Sequence, residues 1–249
     1  MARPRITLIT AALNPGPEVR QTLQSVFDQS YPALQTIFVD GGSRPEHFAH
    51  VEPFLNRIDR VVREPDDGIS DAWNKALALA DGDLIGIVSA DDYLLPGALH
   101  KVAAAFLRAG STGIVHGDAL HLNGSLCTRR RPRKPLAWAL RVGTPVIHPA
   151  TFVARAVYAS VGGFDTRCRI AMDYDFILRA HLAGTSFSYL PEPLVAYRAG
   201  GLSDRRPLGG FREVRRSQLE NGYQRPLVEL LHAAKVGVRR YIRPLLSRG

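Results

Sequence analysis

The chain has 249 residues, 45% hydrophobic and 22% charged, with two cysteines and a formal net charge of +9. That length supports one substantial core, the composition is that of a globular protein, and two cysteines exclude a disulfide framework and fit a reducing cytoplasm. No apolar run approaches the roughly 20 residues of a membrane span; the first one, at 6–13, reads as a strand without the cleavage site of a secretory leader. The positive excess calls for an anionic partner, either a nucleic acid, a membrane surface or a phosphorylated ligand.

Residues 5–11 predict a buried strand ended by the loop at 13–17. Val19, Leu23, Val26 and Phe27 recur at helical spacing and predict a helix that stops before Tyr31-Pro32. A second buried strand at 34–39 closes in Asp40-Gly41-Gly42-Ser43, followed by a helix over about 45–56 and a short strand at 60–63. Ser70 reads as the N-cap of a helix over 71–80. The apolar strand at 84–88 runs into Ser89-Ala90-Asp91-Asp92, and Pro96 opens a helix that ends near 108–110. Beyond 112 the alternation fades. Strands at 114–116 and 119–122, a basic loop at 129–134 and a strand near 150–153 precede a helix from about 171 and an extended segment at 189–197. A last helix is expected over 226–246.

This order predicts an α/β fold, a mostly parallel sheet flanked by helices, with an irregular second half and C-terminal helices. In such sheets ligands bind beyond the C-terminal strand ends. Asn14, Asp40 and the pair Asp91-Asp92 all follow strand ends and should line one cleft. Two adjacent carboxylates at a buried strand end are costly unless a cation compensates them. A hard divalent ion bridging to a diphosphate would do so. Alone, an Asp-Asp turn is more often a solvated cap; its position on the same edge as Asp40 favours a site. Asp40-Gly41 can likewise be plain turn chemistry or a base or ribose contact. No GxxxxGK[ST] loop is present and no GxGxxG opens the first helix, which argues against a P-loop NTPase and a Rossmann dehydrogenase.

An ordered series of motifs resembles glycosyltransferase family 2. TLITAALN at 7–14, TLQSVFDQSYP at 22–32 and FVDGGS at 38–43 open it, and EPDDGISDAWNKAL at 64–77 and SADDYLLPGAL at 89–99 follow. HPATFVAR at 148–155, VGGFD at 161–165, IAMDYDFILR at 170–179 and PEPLVAYRAGGLS at 191–203 complete it. The resemblance implies a GT-A fold, a nucleotide-sugar donor, a divalent metal (Mn²⁺ or Mg²⁺) and inversion at the anomeric carbon. It places Thr10, Asn14 and Asp40 in the nucleoside pocket, Asp71 and Lys75 near the donor, Asp91 on the ribose or donor sugar, and Asp92 on the metal. Ser89 stands where the family's metal motif often has an acid. Asp173 aligns with the family's catalytic aspartate, although Met172 replaces the adjoining glutamate. Asp175, two residues on, faces elsewhere on the helix and has an ion-pair partner available four residues later in Arg179. Asp173 is therefore the expected general base. His148 and Asp175 are weaker acceptor-side candidates, and Arg198 could meet the donor diphosphate or a surface acid. Trp73 and Trp138 could stack on a sugar, although burial in the core is the better reading of Trp73.

The resemblance covers about 5–205. The expected organisation is a catalytic unit at 1–205, with a nucleotide-sugar part to 110 and an acceptor part from 111, then a basic helical extension at 206–249. The donor would be a UDP-, GDP- or dTDP-sugar, and the acceptor a glycan or lipid-linked glycan of bacterial envelope assembly. A sugar-phosphate nucleotidylyltransferase would need a Gly-rich loop with Arg after the first strand, which 10–17 lacks. A nucleic-acid-binding protein would have no use for Asp92 or Asp173. Two readings stay open for the basic loop at 129–134, a solvated segment or a contact to an acceptor phosphate or membrane. In the tail, Leu227, Leu231, Ala234, Val238, Tyr241 and Leu245 form a stripe among cations. It fits packing on the core, an oligomer contact or an anionic membrane surface, the last implying a cytoplasmic protein peripheral to the inner face of the membrane.

Overall fold

A computed structural model describes residues 3–134 and 136–242. Its first half is a parallel sheet of β1 (Ile6–Ala12), β2 (Leu34–Asp40), β3 (Arg60–Arg63) and β4 (Leu84–Ile87), in the order β3-β2-β1-β4. Alternate residues of β2 serve two cores. Phe38 packs with Val19 and Leu23 of α1 (Val19–Phe27), with Phe48 of α2 (Pro45–Phe48), and with Ile58. Ile37 and Val39 face the larger cluster, which contains Trp73 and Ala76 of α3 (Ile69–Leu79). A strand covered on both faces is buried along its length, and β1 is buried from Ile6 to Ala11, its threonines Thr7 and Thr10 included.

The second half adds β5 (Tyr93–Leu94), α4 (Ala98–Arg108), β6 (Ile114–Asn123), β7 (Leu126–Arg130), α5 (Leu136–Ala139), β8 (Thr151–Ala154), α6 (Arg155–Val161), α7 (Met172–Leu182) and β9 (Phe187–Arg198). β8 lies antiparallel to both β4 and β6, so β6 regains the direction of β4, and β9 runs parallel to β6. The sheet is thus parallel across its first half and mixed beyond it, completing the order β3-β2-β1-β4-β8-β6-β9-β5. After β9 the described residues form α8 (Leu202–Arg205), α9 (Pro207–Glu220) and α10 (Arg225–Gly237). Among the described residues no helix is long and apolar enough to cross a membrane.

Several local expectations need correction. The helix expected over 45–56 breaks into α2 and a 3₁₀ turn, Glu52–Arg57, because Pro53 has no N–H to continue the ladder. Ser70 caps nothing. Gly68, at φ 109°, precedes α3, and the Ser70 hydroxyl instead donates to the Cys168 carbonyl at 2.7 Å. The two strands expected at 114–122 are one strand, irregular at Gly117–Asp118. Arg129 and Arg130 of the basic loop belong to β7, paired with β6. The last α-helix ends at Gly237, a poor helix former, and passes into a π-helical turn, Val238–Ile242; Pro244 and Leu245 lie outside the described residues. The helix α6 has no counterpart in the sequence expectations, and α9 falls within the expected helical extension at 206–249 without having been singled out as an element.

Candidate active site

Because β1, β2 and β4 are parallel, their C-terminal ends share one edge, and the loops that follow them meet there. Asn14 adopts a positive φ of 50°. Its N–H donates to Ser43 Oγ at 2.7 Å, and its Oδ1 accepts from the Arg44 N–H at 3.0 Å. Asp40 is 0% exposed and accepts from the Ser43 N–H at 3.2 Å and from Arg63 Nε at 3.1 Å. The Arg63 guanidinium in turn lies 4.1 Å from the centre of the Phe48 ring. Asp40 therefore holds the loop at 41–43 in shape from below, while Asn14 and Ser43 stitch the first loop to the second. Thr10 is set back from this edge. It is buried beneath α1 beside Leu23, Phe27 and Phe38 and takes no part in the Asn14–Ser43–Asp40 network.

Asp91 and Asp92 follow β4. Asp91 is exposed, whereas Asp92 is 5% exposed, and its Oδ1 accepts from the Arg198 N–H at 3.2 Å. The Arg198 side chain wraps this turn, with Nε donating to the Asp91 carbonyl at 3.2 Å and a terminal nitrogen to Gln21 Oε1 at 2.8 Å. Burial, and then the charge of Asp91, push the Asp92 carboxyl up to about 7. No guanidinium or ammonium pairs with its oxygens among the described residues. A divalent ion held by one or two carboxylates and by substrate phosphate oxygens suits such a donor set. A second cluster, Asp165, Cys168 and Asp175, brings ligand atoms within 4.8 Å of one another. Its cations are already in place, since Arg167 pairs with Asp165, Arg179 with Asp175, and Arg216 donates to Cys168 Sγ.

The segment leading into α3 is tied by Lys75, whose Nζ lies 3.0 Å from Glu64 and 3.3 Å from Asp71 and donates to the Pro65 carbonyl at 2.8 Å. The hydrogen bond that Lys75 donates to Glu64 raises the Lys75 ammonium above its usual range, and the Asp67 N–H holds the Asp71 carboxyl below its own. Between Asp71 and Lys75, Trp73 is buried and stacks on His148, with ring centroids 4.8 Å apart and planes 19° apart. Asp173 lies within electrostatic reach of His148. Burial pushes Asp173 up and His148 down, and each opposes the other's shift. Asp173 Oδ1 accepts from the Tyr174 N–H at 2.7 Å. Asp175 is instead buried against Arg179 Nε at 2.8 Å and accepts from Ser217 Oγ at 2.7 Å.

The sequence-predicted residues thus divide. Asn14, Asp40, Asp91, Asp92 and Arg198 gather at the strand edge, Asp71 and Lys75 at the entry to α3, and His148 and Asp173 around Trp73. Trp138 is exposed and belongs to none of these groups. Sequence reasoning missed Gln21, Arg63 and Ser217 and gave Ser43 no role of its own. Ser43 alone had a signal, its place in the FVDGGS motif; the others act through partners far away in sequence.

The α/β fold thus carries a carboxylate pair at the carboxyl edge of its parallel strands and, on α7, a half-buried aspartate, Asp173, with no ion-pair partner among the described residues. A family model described as glycosyl transferase family 2 matches residues 7–141. An uncharacterized glycosyltransferase of Mycobacterium tuberculosis is 31% identical over 185 residues, covering 72% of this chain and 70% of that one. A PGL/p-HBAD biosynthesis glycosyltransferase of Mycobacterium bovis BCG is 27% identical over 189 residues, with the same coverage of 72% and 70%. Among solved structures, a mannosyltransferase from Pyrobaculum calidifontis in complex with GDP-Man and Mn²⁺ superposes with a TM-score of 0.68 at 20% identity, covering 97% of this chain and 71% of that one. The chain belongs to glycosyl transferase family 2, and it is a glycosyltransferase.

Proposed function

We propose that this enzyme moves a sugar from a UDP-, GDP- or dTDP-sugar to a glycan or lipid-linked acceptor, with inversion. Asp173 is the general base and Asp92 holds a divalent ion. One contrast carries the reading. Asp40 and Asp175 are buried and paired with arginines, whereas Asp92 and Asp173 are pushed up by burial and have no ion-pair partner among the described residues. Unpaired carboxylates of this kind mark working sites.

Asp173 accepts the proton of the acceptor hydroxyl as its oxygen bonds to the anomeric carbon, a contribution of roughly 10²–10⁴-fold. The bond from that carbon to the donor phosphate oxygen breaks, and its electron pair leaves with the nucleoside diphosphate. His148, held by its stack on Trp73, adjoins Asp173 and favours the carboxylate form that the proton transfer requires. The Asn14–Ser43 pair and the loop shaped by Asp40 line the nucleoside side, and Arg198 fixes the turn that presents Asp91 and Asp92. When bound at Asp92, a Mn²⁺ or Mg²⁺ ion neutralises charge on the leaving diphosphate. A bound GDP-sugar and Mn²⁺ in the Pyrobaculum neighbour support this assignment.

The test is a thermal-shift panel of UDP-, GDP- and dTDP-sugars with Mn²⁺, Mg²⁺ or EDTA. One nucleotide class should raise the melting temperature with metal and lose most of that effect in EDTA, since ligands that bind only the folded state stabilise it by mass action. Turnover should release nucleoside diphosphate. Release of pyrophosphate from a nucleoside triphosphate and a sugar phosphate would instead identify a nucleotidylyltransferase.

A further inference from the structure

The loop that delivers Asp173 is held from α9. α7 starts at Met172 with Ala171 at its N-cap and no side-chain cap of its own, so donors around that end need acceptors from elsewhere. Glu213, in the middle of α9, supplies them. Its Oε1 accepts from the Arg169 N–H at 3.0 Å, and its Oε2 accepts from the N–H groups of Ile170 at 2.9 Å and Ala171 at 2.7 Å. α9 reaches this close because Gly209 and Gly210 lie against Ile170; a Cβ on Gly209 would come within 2.7 Å of Ile170 Cδ1. On its other side the loop is fixed to α3 by the Ser70 hydrogen bond to Cys168. The base loop is thus clamped between the helix that leads from the donor segment and a helix beyond the region of family resemblance.

We propose that Glu213 is a positioning residue for sugar transfer, fixing the backbone at 169–171 so that Asp173 meets the acceptor hydroxyl. This rests on Asp173 as the base. A clamp on the loop matters because misplacing a reacting group by about 1 Å can cost roughly 10²-fold in rate. Glu213 also acts through its charge. Among the described residues the titratable groups acting on Asp173 are His148, from the turn at His148–Ala150, and Glu213, which raises the Asp173 carboxyl along with burial. Neutralising Glu213 should therefore move Asp173 down.

The experiment compares full-length Glu213→Gln and Glu213→Asp with the parent. The readouts are donor binding, hydrolysis of the stabilising nucleotide sugar across pH 5–9, and the donor-free NMR titration of the ¹³C-labelled Asp173 carboxyl. Glu213→Gln should bind donor as the parent does, lose roughly 10²-fold in kcat, and shift both the acid limb of kcat and the Asp173 titration to lower pH. Glu213→Asp keeps the charge, so its titration should stay in place while kcat falls because the shorter side chain loses the three-way contact. Parental kcat and an unmoved titration in Glu213→Gln overturn the proposal. If that variant does not fold, parental kcat in a folded Glu213→Asp does the same. Asp173→Asn separates the two levels: normal turnover there removes the base assignment itself, whereas lost turnover beside an unaffected Glu213→Gln removes only the positioning role.

Discussion

Asp173 and Asp175 stand two residues apart on α7, and their neighbours divide their roles. Asp175 is bonded to Arg179 and Ser217, and Arg179 also donates to the carbonyls of Val161 and Gly163 at 2.8 Å and 2.7 Å. Removing one partner of a buried pair strands the other, at about 3–5 kcal/mol. Asp175→Asn should therefore lower the melting temperature markedly, while Asp173→Asn should keep fold and donor binding and lose roughly 10²–10⁴-fold in turnover. Calorimetry beside a donor-hydrolysis assay distinguishes them, and a stable Asp175→Asn protein without turnover would exchange the two roles. Asp92 yields a pH prediction. Burial pushes its carboxyl up to about 7 from the ordinary aspartate value near 3.8, so between those limits the metal-free native state should hold a proton that the unfolded chain has lost. Stability from this group is complete below about 4 and declines as pH rises through about 7, by up to about 1.4 kcal/mol for each pH unit crossed. In EDTA, the parent should lose more melting temperature between pH 5 and 8 than Asp92→Asn does. Mn²⁺ should restore it most at the upper end, with proton release on binding. Parallel melting curves for parent and variant would contradict the raised titration.

At the scale of elements, the strand-edge loops hold one another. Ser43→Ala removes the acceptor for the Asn14 N–H at 2.7 Å while leaving the Ser43 N–H bond to Asp40. It should cost about 1 kcal/mol in urea unfolding and weaken donor binding several-fold; donor affinity equal to the parent's would place the nucleotide away from these loops. β1, β2 and β4 were legible in the sequence because their mostly apolar runs end in Asn, Asp and Gly turn signals, and their common direction brought Asn14, Asp40 and Asp92 to one edge. The motif series located Asp173. Within the expected helical extension, the bounds and buried face of α9 were not legible, because that face is Gly210, Val214, Ser217 and Gln218, which carries almost no apolar periodicity. The same opacity hid Glu213, whose partners lie more than 40 residues away. Thr10 matched a motif yet packs under α1, since the pleat alternates sides and sends it into the smaller core's face.

The positive excess of the molecule lies in the second half of its sequence. In the β6–β7 hairpin, Arg129 is pinned to the buried Asp118 at 2.7 Å, Arg131 approaches the same carboxylate at 3.9 Å, and Lys134 lies 4.1 Å over the Tyr189 ring. Burial and the charge of Arg133 both push the Lys235 ammonium of α10 down, so cations of the hairpin loop and the last helix adjoin. α10 itself buries only Val228 among the described residues and is tied to α9 by Arg215 Nε to Glu229 at 2.7 Å, leaving Leu230 67% exposed and Val238 49% exposed. A C-terminal segment that carries Arg225, Lys235, Arg239 and Arg240 against Glu229, with Leu230 and Val238 so little covered, fits an anionic bilayer, where each cation near the surface adds about 1 kcal/mol. The full chain should therefore sediment with phosphatidylglycerol vesicles at low salt and release as salt rises. A chain ending at Gln224 should keep its melting temperature, because α9 and its Glu213 and Ser217 contacts remain, and should lose vesicle binding. If truncation unfolds the protein, α10 belongs to the core. If the full chain ignores anionic vesicles at low salt but forms dimers that the truncated chain does not, the exposed face of α10 meets a second copy of the enzyme rather than a membrane.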